Sequence, residues 1–170
     1  IPHQFSLKED VEIAGFLAAT IAWGNRKMII KNANRMVELM GESPFDFIME
    51  HDNKQLERLN GFVHRTFNAN DFKYFIKALQ NIYLHHNGLE GVFTKHTTTD
   101  SIQPAIHHFK NTFFSIEHPA RTQKHLGDPF KGSAAKRINM YLRWLVRDDK
   151  AGVDFGLWKS ISPAILSCPL

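Results

Sequence analysis

The apolar residues of this chain recur with the helical period along most of its length. Ile13, Phe16, Leu17, Thr20 and Ile21 stand at i, i+3, i+4, i+7 and i+8, one stripe of a helix. Ser6-Leu7-Lys8-Glu9 before them reads as a capping box. Gly24-Asn25 interrupts the stripe, and a second helix is predicted from Arg26 to Met40, stopped by Gly41. Ser43-Pro44 starts a short helix with Pro at its first position. Asn70-Asp71 opens a helix through Phe72, Phe75, Ile76, Leu79 and Ile82 that ends near Asn87-Gly88. Asp100-Ser101-Ile102-Gln103 repeats the capping-box pattern ahead of a helix to about Phe114. Residues 118–131 form a loop marked by Pro119, Gly127 and Pro129, and Gly132-Ser133 cap a helix from Ala134 to about Arg147. Gly152 and Gly156 mark a turn, and Ser162-Pro163 starts a last helix. No alternating run bounded by hairpin turns stands out, and Thr97-Thr98-Thr99 reads as a linker. The expected fold is all-α, a multi-helix array in one domain over residues 1–170. The chain lacks an initial Met and stops at Pro169-Leu170 in an apolar stretch, so it reads as a fragment truncated at both ends.

Composition narrows the partners. A 43% hydrophobic, 22% charged chain is globular rather than disordered. Its longest apolar run, Ile13 to Trp23, is about half a membrane span. The single cysteine, Cys168, excludes an internal disulfide framework and a Cys-based zinc site. With no signal peptide visible, a reducing, cytoplasmic location follows. The net charge of +4 is unevenly spread. Residues 119–150 hold eight bases (Arg121, Lys124, Lys131, Lys136, Arg137, Arg143, Arg147 and Lys150) against three acids, a local charge of +5. Arg26, Lys27, Lys31 and Arg35 lie in a stretch without acids between Ile13 and Val37. A negatively charged partner, nucleic acid first, fits this pattern; so do ordinary solvated helix faces.

The segment from Ala134 to Arg147 carries the most chemistry. At about 100° per residue, Ala134, Ile138, Tyr141, Leu142 and Leu145 share one face and Lys136, Met140, Arg143 and Arg147 the opposite one. Counted from a Ser133 cap, Lys136 is the third helical residue, at the positive end of the helix dipole. That end and neighbouring Arg137 favour the neutral amine, a usable nucleophile toward an electrophilic carbon. The same helix end can receive a phosphate. The plain alternative is a surface lysine in a slightly unfavourable place.

Ala134-Ala135-Lys136-Arg137-Ile138-Asn139-Met140-Tyr141-Leu142-Arg143-Trp144-Leu145-Val146-Arg147, with Gly15-Phe16-Leu17-Ala18-Ala19-Thr20-Ile21-Ala22-Trp23-Gly24-Asn25-Arg26, resembles a bacterial family built on a domain of unknown function. The resemblance spans essentially the whole chain, and that family is similar in fold to the helix-hairpin-helix DNA glycosylases, above all the branch acting on oxidised guanine. It implies a helix-hairpin-helix-like segment at about 119–148 that grips DNA phosphates. It further implies that Lys136 attacks the sugar C1′ and forms a Schiff base, with an Asp further along, in a Pro-x-Asp-x-His type segment, assisting base departure. Pro169-Leu170 looks like the start of that segment. Leu126-Gly127-Asp128-Pro129-Phe130-Lys131-Gly132-Ser133 departs from the Leu-Pro-Gly-x-Gly turn of those enzymes.

A damaged-base glycosylase/lyase must evert a base and hold the backbone beside it. Arg26, Lys27, Lys131, Arg137, Arg143 and Arg147 are candidates for DNA contact, and Trp23 and Trp144 for stacking or wedging. The competing expectations are a non-enzymatic nucleic-acid-binding helical domain and a helical protein-interaction module. No cofactor or metal site is expected. His85-His86 and His107-His108 diverge on a helix, and no His-x-x-x-His, Gly-x-Ser-x-Gly or phosphate-binding Gly loop occurs.

Overall fold

The computed structural model describes residues 1–167 and is built from helices around one aromatic core. Cys168 and the Pro169-Leu170 expectation lie outside the described residues. Helix α1 (Lys8–Thr20) is the central element, with every residue from Val11 to Thr20 buried. Helices α2 (Arg26–Leu39), α3 (Pro44–Glu50) and α8 (Lys136–Val146) pack against it. Helix α4 (Asn53–Glu57) leads to a hairpin of β1 (Val63–His64) and β2 (Phe67–Asn68), antiparallel with His64 opposite Phe67. Helices α5 (Ala69–His85), α6 (Gly88–Thr94) and α7 (Gln103–Phe113) pack on one another and complete the array. Within it the Phe16 ring lies 5.5–5.7 Å from those of Phe75, Phe109, Phe113 and Tyr141. No helix among the described residues is long and apolar enough to cross a membrane.

The all-α expectation holds, and several local readings need correction. Ser6 does not cap α1, whose preceding residue is Leu7 with no side-chain bond. The first-turn residues Lys8, Glu9 and Asp10 are exposed or half-buried, so water reaches the N–H groups that a cap would otherwise satisfy. Likewise α7 begins at Gln103, after Ile102, with Ser101 Oγ accepting the Gln103 N–H at 3.1 Å. By contrast, Asn25 caps α2, and Asn68, two residues before the expected start, forms a capping box with Asp71 at α5. Helices α4 and α6 and the hairpin were not expected; runs of two to seven residues are too short to establish a period. The stretch after Ser162-Pro163 is a 3-10 turn, Pro163–Ile165, tied to α7 by the Ile102 N–H donating to Ile165 O at 3.2 Å.

One buried acid tests the packing. Glu12 accepts the Trp158 indole N–H at 2.6 Å and the Tyr83 hydroxyl at 2.7 Å. Burial pushes its carboxyl pKa up, and the two hydrogen bonds and Lys8 only partly oppose this. A carboxyl raised on folding adds stability as pH falls through the folded pKa toward the unfolded one. The difference in unfolding free energy between wild type and Glu12→Gln is therefore expected to move in favour of wild type on acidification from pH 7. Urea melts of both proteins across that range check it, and a constant difference overturns it.

Candidate active site

The entry to α8 is an unusual piece of backbone. After the 3-10 turn Pro129–Lys131, Gly132 takes φ +77° and Ala135 takes φ +45°, a left-handed conformation rare for a side-chain-bearing residue. Ser133 is not the cap: its Oγ accepts the Ala135 N–H at 3.1 Å, and the helix starts at Lys136. Ala134 is exposed outside the helix, and Lys136 is the first helical residue rather than the third. The kink is held from inside by Asn139, whose amide donates to Ala134 O at 3.2 Å and Ala135 O at 3.1 Å. Gly127 passes so close that a β-carbon there would lie 2.6 Å from Ser133 Oγ and 3.0 Å from Ala135 Cα. Only glycine permits that approach without a shift.

A pocket of about 100 Å³ opens at this helix end. Phe16, Ala19 and Thr20 of α1 form one wall, His125 to Gly127 another, and Ser133, Ala135, Lys136 and Arg137 the lip. Lys136 is exposed on the lip, with the free N–H groups of the first turn beside it. Arg137 turns inward. It is half-buried, donates to Thr20 O and sets its guanidinium 4.7 Å from the Trp23 ring centre.

Behind His125 lies a buried polar network that joins three distant segments. Asp71, fully buried in the first turn of α5, accepts the Asn68 N–H at 3.0 Å, the Thr122 hydroxyl at 2.7 Å and Arg121 Nη1 at 2.6 Å. His125 Nε2 stands 3.1 Å from Asp71 Oδ2. Burial alone would push the Asp71 carboxyl up; its three hydrogen bonds and nearby His125 outweigh burial and hold it below the ordinary carboxylate range. Burial pushes the His125 pKa down, as do Lys124 and Arg137, with Asp71 opposing them. Burial and these two cations together favour the neutral imidazole. Its ring lies against Phe67 at 4.9 Å and Trp23 at 6.3 Å.

The expected site residues divide into two groups. Lys136 and Arg137 share the pocket, with Trp23 joined to them through Arg137. Arg26, Arg143 and Trp144 line a different, larger groove between α1, α2 and α8, together with Met140, Ile29 and Ile30. Arg143 Nε and Arg147 Nε lie 3.5 Å and 3.9 Å from the carboxylate of buried Asp154, which offsets part of the expected basic ridge. Lys27 and Lys131 are exposed. Arg137 and Trp23, expected as a phosphate contact and a wedge, are each other's partner in this structure, with Trp23 also edge-on to His64 at 5.1 Å. The segment 119–148 consists of 3-10 turns at Ala120–His125 and Pro129–Lys131 followed by α8. Among the described residues no group of three or more His, Cys, Asp or Glu could hold a metal ion. His107 instead pairs with Asp128 at 3.0 Å, and His108 stacks on His96 at 3.9 Å. Asp71 and His125 were not expected in a site: they are 54 residues apart in sequence, and the helix-opening pattern fully accounted for Asp71.

A family model described as Protein of unknown function (DUF2400) matches residues 1–170. No curated protein and no solved structure gave a match.

Proposed function

The chain belongs to the DUF2400 family of unknown function, and within it we propose a DNA base-excision protein of the glycosylase/lyase class, acting on damaged duplex DNA with Lys136 as nucleophile. The observation that carries this reading is an exposed lysine, the first residue of a helix, lining a pocket directly after the left-handed Ala135. Strained backbone of this kind costs about 1–2 kcal/mol and is concentrated at functional sites. The relation to the helix-hairpin-helix glycosylases, read from the α8 and α1 segments, is part of the proposal.

The amine of Lys136 adds to the sugar C1′ of an everted nucleotide, and the C1′–N bond to the base breaks. Opening of the sugar ring leaves an iminium between Lys136 and C1′. Water hydrolyses it, or the adjacent phosphate leaves by elimination. Lys27, Lys131 and the partly paired Arg143 and Arg147 supply cations for backbone phosphates, a sequence-independent contact.

Hydride trapping on a duplex with one abasic site tests the reading, because reduction of the iminium leaves a covalent protein–DNA adduct. A trapped adduct is the expected result. Salt-sensitive duplex binding with no adduct would instead favour a non-enzymatic DNA-binding domain. No binding at about 50 mM salt, where phosphate contacts are strongest, would favour a protein-interaction module.

A further inference from the structure

Lys136 has a second group at its pocket that the excision reading does not use. His125 is almost wholly buried, yet it lines the same pocket as Lys136. Its Nε2 lies 3.1 Å from Asp71 Oδ2, within ion-pair distance but outside hydrogen-bond geometry, and is buried with no hydrogen-bond partner among the described residues. Asp71 is in turn fixed by Asn68, Thr122 and Arg121, so it cannot swing away from the imidazole. Nδ1 makes no hydrogen bond among the described residues either, so one ring nitrogen stands beside a carboxylate and the other is available. This is the arrangement of a general base with an orienting acid. Buried titratable side chains are costly to keep without a partner or a task. An apolar residue at position 125 would fill the space between Phe67 and Trp23 at no such cost.

We propose that His125, oriented by Asp71, is the proton-transfer residue of the Lys136 pocket, an assignment that rests on the excision reading above. His125 takes a proton from the Lys136 ammonium, directly or through one water. The freed amine adds to C1′. The resulting imidazolium returns the proton to the group that leaves C1′, a base anion on damaged DNA or hydroxide on an abasic site. Protons balance over the cycle, and no further reactant is needed up to the iminium. Asp71 acts as the positioning residue. The charged groups facing His125 are Asp71 of α5, Lys124 beside it in the chain, and Lys136 and Arg137 of α8.

The test is single-turnover adduct formation on an abasic duplex with cyanoborohydride between pH 5 and 8, for wild type, Lys136→Ala, His125→Gln and Asp71→Asn. The wild-type rate is expected to rise with pH to a plateau, with its inflection below the ordinary histidine range. His125→Gln is expected to lower the plateau about 100-fold and abolish the inflection, with duplex affinity unchanged. Asp71→Asn removes the charge that favours the imidazolium, so its inflection is expected to shift to lower pH. Should His125→Gln react at the wild-type rate with the wild-type profile while Lys136→Ala is inert, the His125 assignment fails and the excision reading stands. Adduct formation that survives in Lys136→Ala, or is missing from wild type, overturns both. Circular dichroism identifies any variant that does not fold. In that case the wild-type profile decides, because a rate flat from pH 5 to 8 overturns the proton-transfer role.

Discussion

Lys136→Ala is expected to lower hydride-trapped adduct formation by at least about 10⁴-fold, the scale of losing an enzyme's nucleophile. The same variant is expected to melt within about 0.5 kcal/mol of wild type. Both halves follow from one placement. The amine is exposed on the lip of the pocket and makes no ion pair or hydrogen bond among the described residues, so its loss removes chemistry and little packing. Removing a cation from the positive end of α8 is, if anything, slightly favourable to the helix. Lys136→Arg separates charge from nucleophilicity: it keeps a phosphate-attracting cation and should bind an abasic duplex while forming no adduct. An undiminished adduct from Lys136→Ala would assign the nucleophile to another residue, and a large fall in stability would make Lys136 a structural residue.

Asp71→Ala is expected to destabilise the fold by about 3–5 kcal/mol, the cost of removing one member of a buried charged network. Its carboxylate lies between the first turn of α5 and the 3-10 turn Ala120–His125. Without it, the Thr122 hydroxyl is left buried without an acceptor, His125 Nε2 loses the carboxylate 3.1 Å away, and Arg121 retains only its bond to Thr66 O at 2.9 Å. The reciprocal half of the capping box, the Asn68 N–H donating to Asp71, is lost as well, while the Asn68 side chain still caps α5. The effect should also depend on pH. A carboxyl held below its ordinary pKa contributes stability that is fully present above the unfolded value and is lost as pH falls through the folded one. The gap between wild type and Asp71→Ala in urea melts should thus narrow on acidification. A gap below about 1 kcal/mol at pH 7, no more than an ordinary exposed cap, would show that the network does not hold the 120–127 segment in place.

Helices with a long periodic stripe were legible from the residues alone. The α5 stripe of Phe72, Phe75, Ile76, Leu79 and Ile82 is buried as its spacing requires, and so is the α8 face of Ile138, Tyr141, Leu142 and Leu145. The opposite face of α8 is exposed at Lys136, Arg143 and Arg147. Capping was less legible. Ser, Asp and Glu satisfy the same pattern whether or not the backbone turns there, so Ser6 and Ser133 read as caps that the chain does not use, while Asp52 caps α4 unanticipated. Charge was legible as a total but not as a surface. Asp154 approaches Arg143 and Arg147 because the chain reverses just before it, where the Asp149 carboxylate accepts the Val153 N–H at 2.9 Å and the Asp154 N–H at 3.2 Å.

Local periodicity, glycine and proline placement and the run of bases before Lys150 were enough to specify an all-helical chain with a lysine at the start of its most amphipathic basic helix. These are properties of neighbours in sequence, and short-range backbone and side-chain physics acts on neighbours. The pocket beside Lys136, the inward turn of Arg137 onto Trp23 and the pairing of Asp71 with His125 came only from packing. Each joins residues more than 50 positions apart, or depends on a close approach such as that of Gly127 to Ser133, and burial in three dimensions alone decides which of such groups meet.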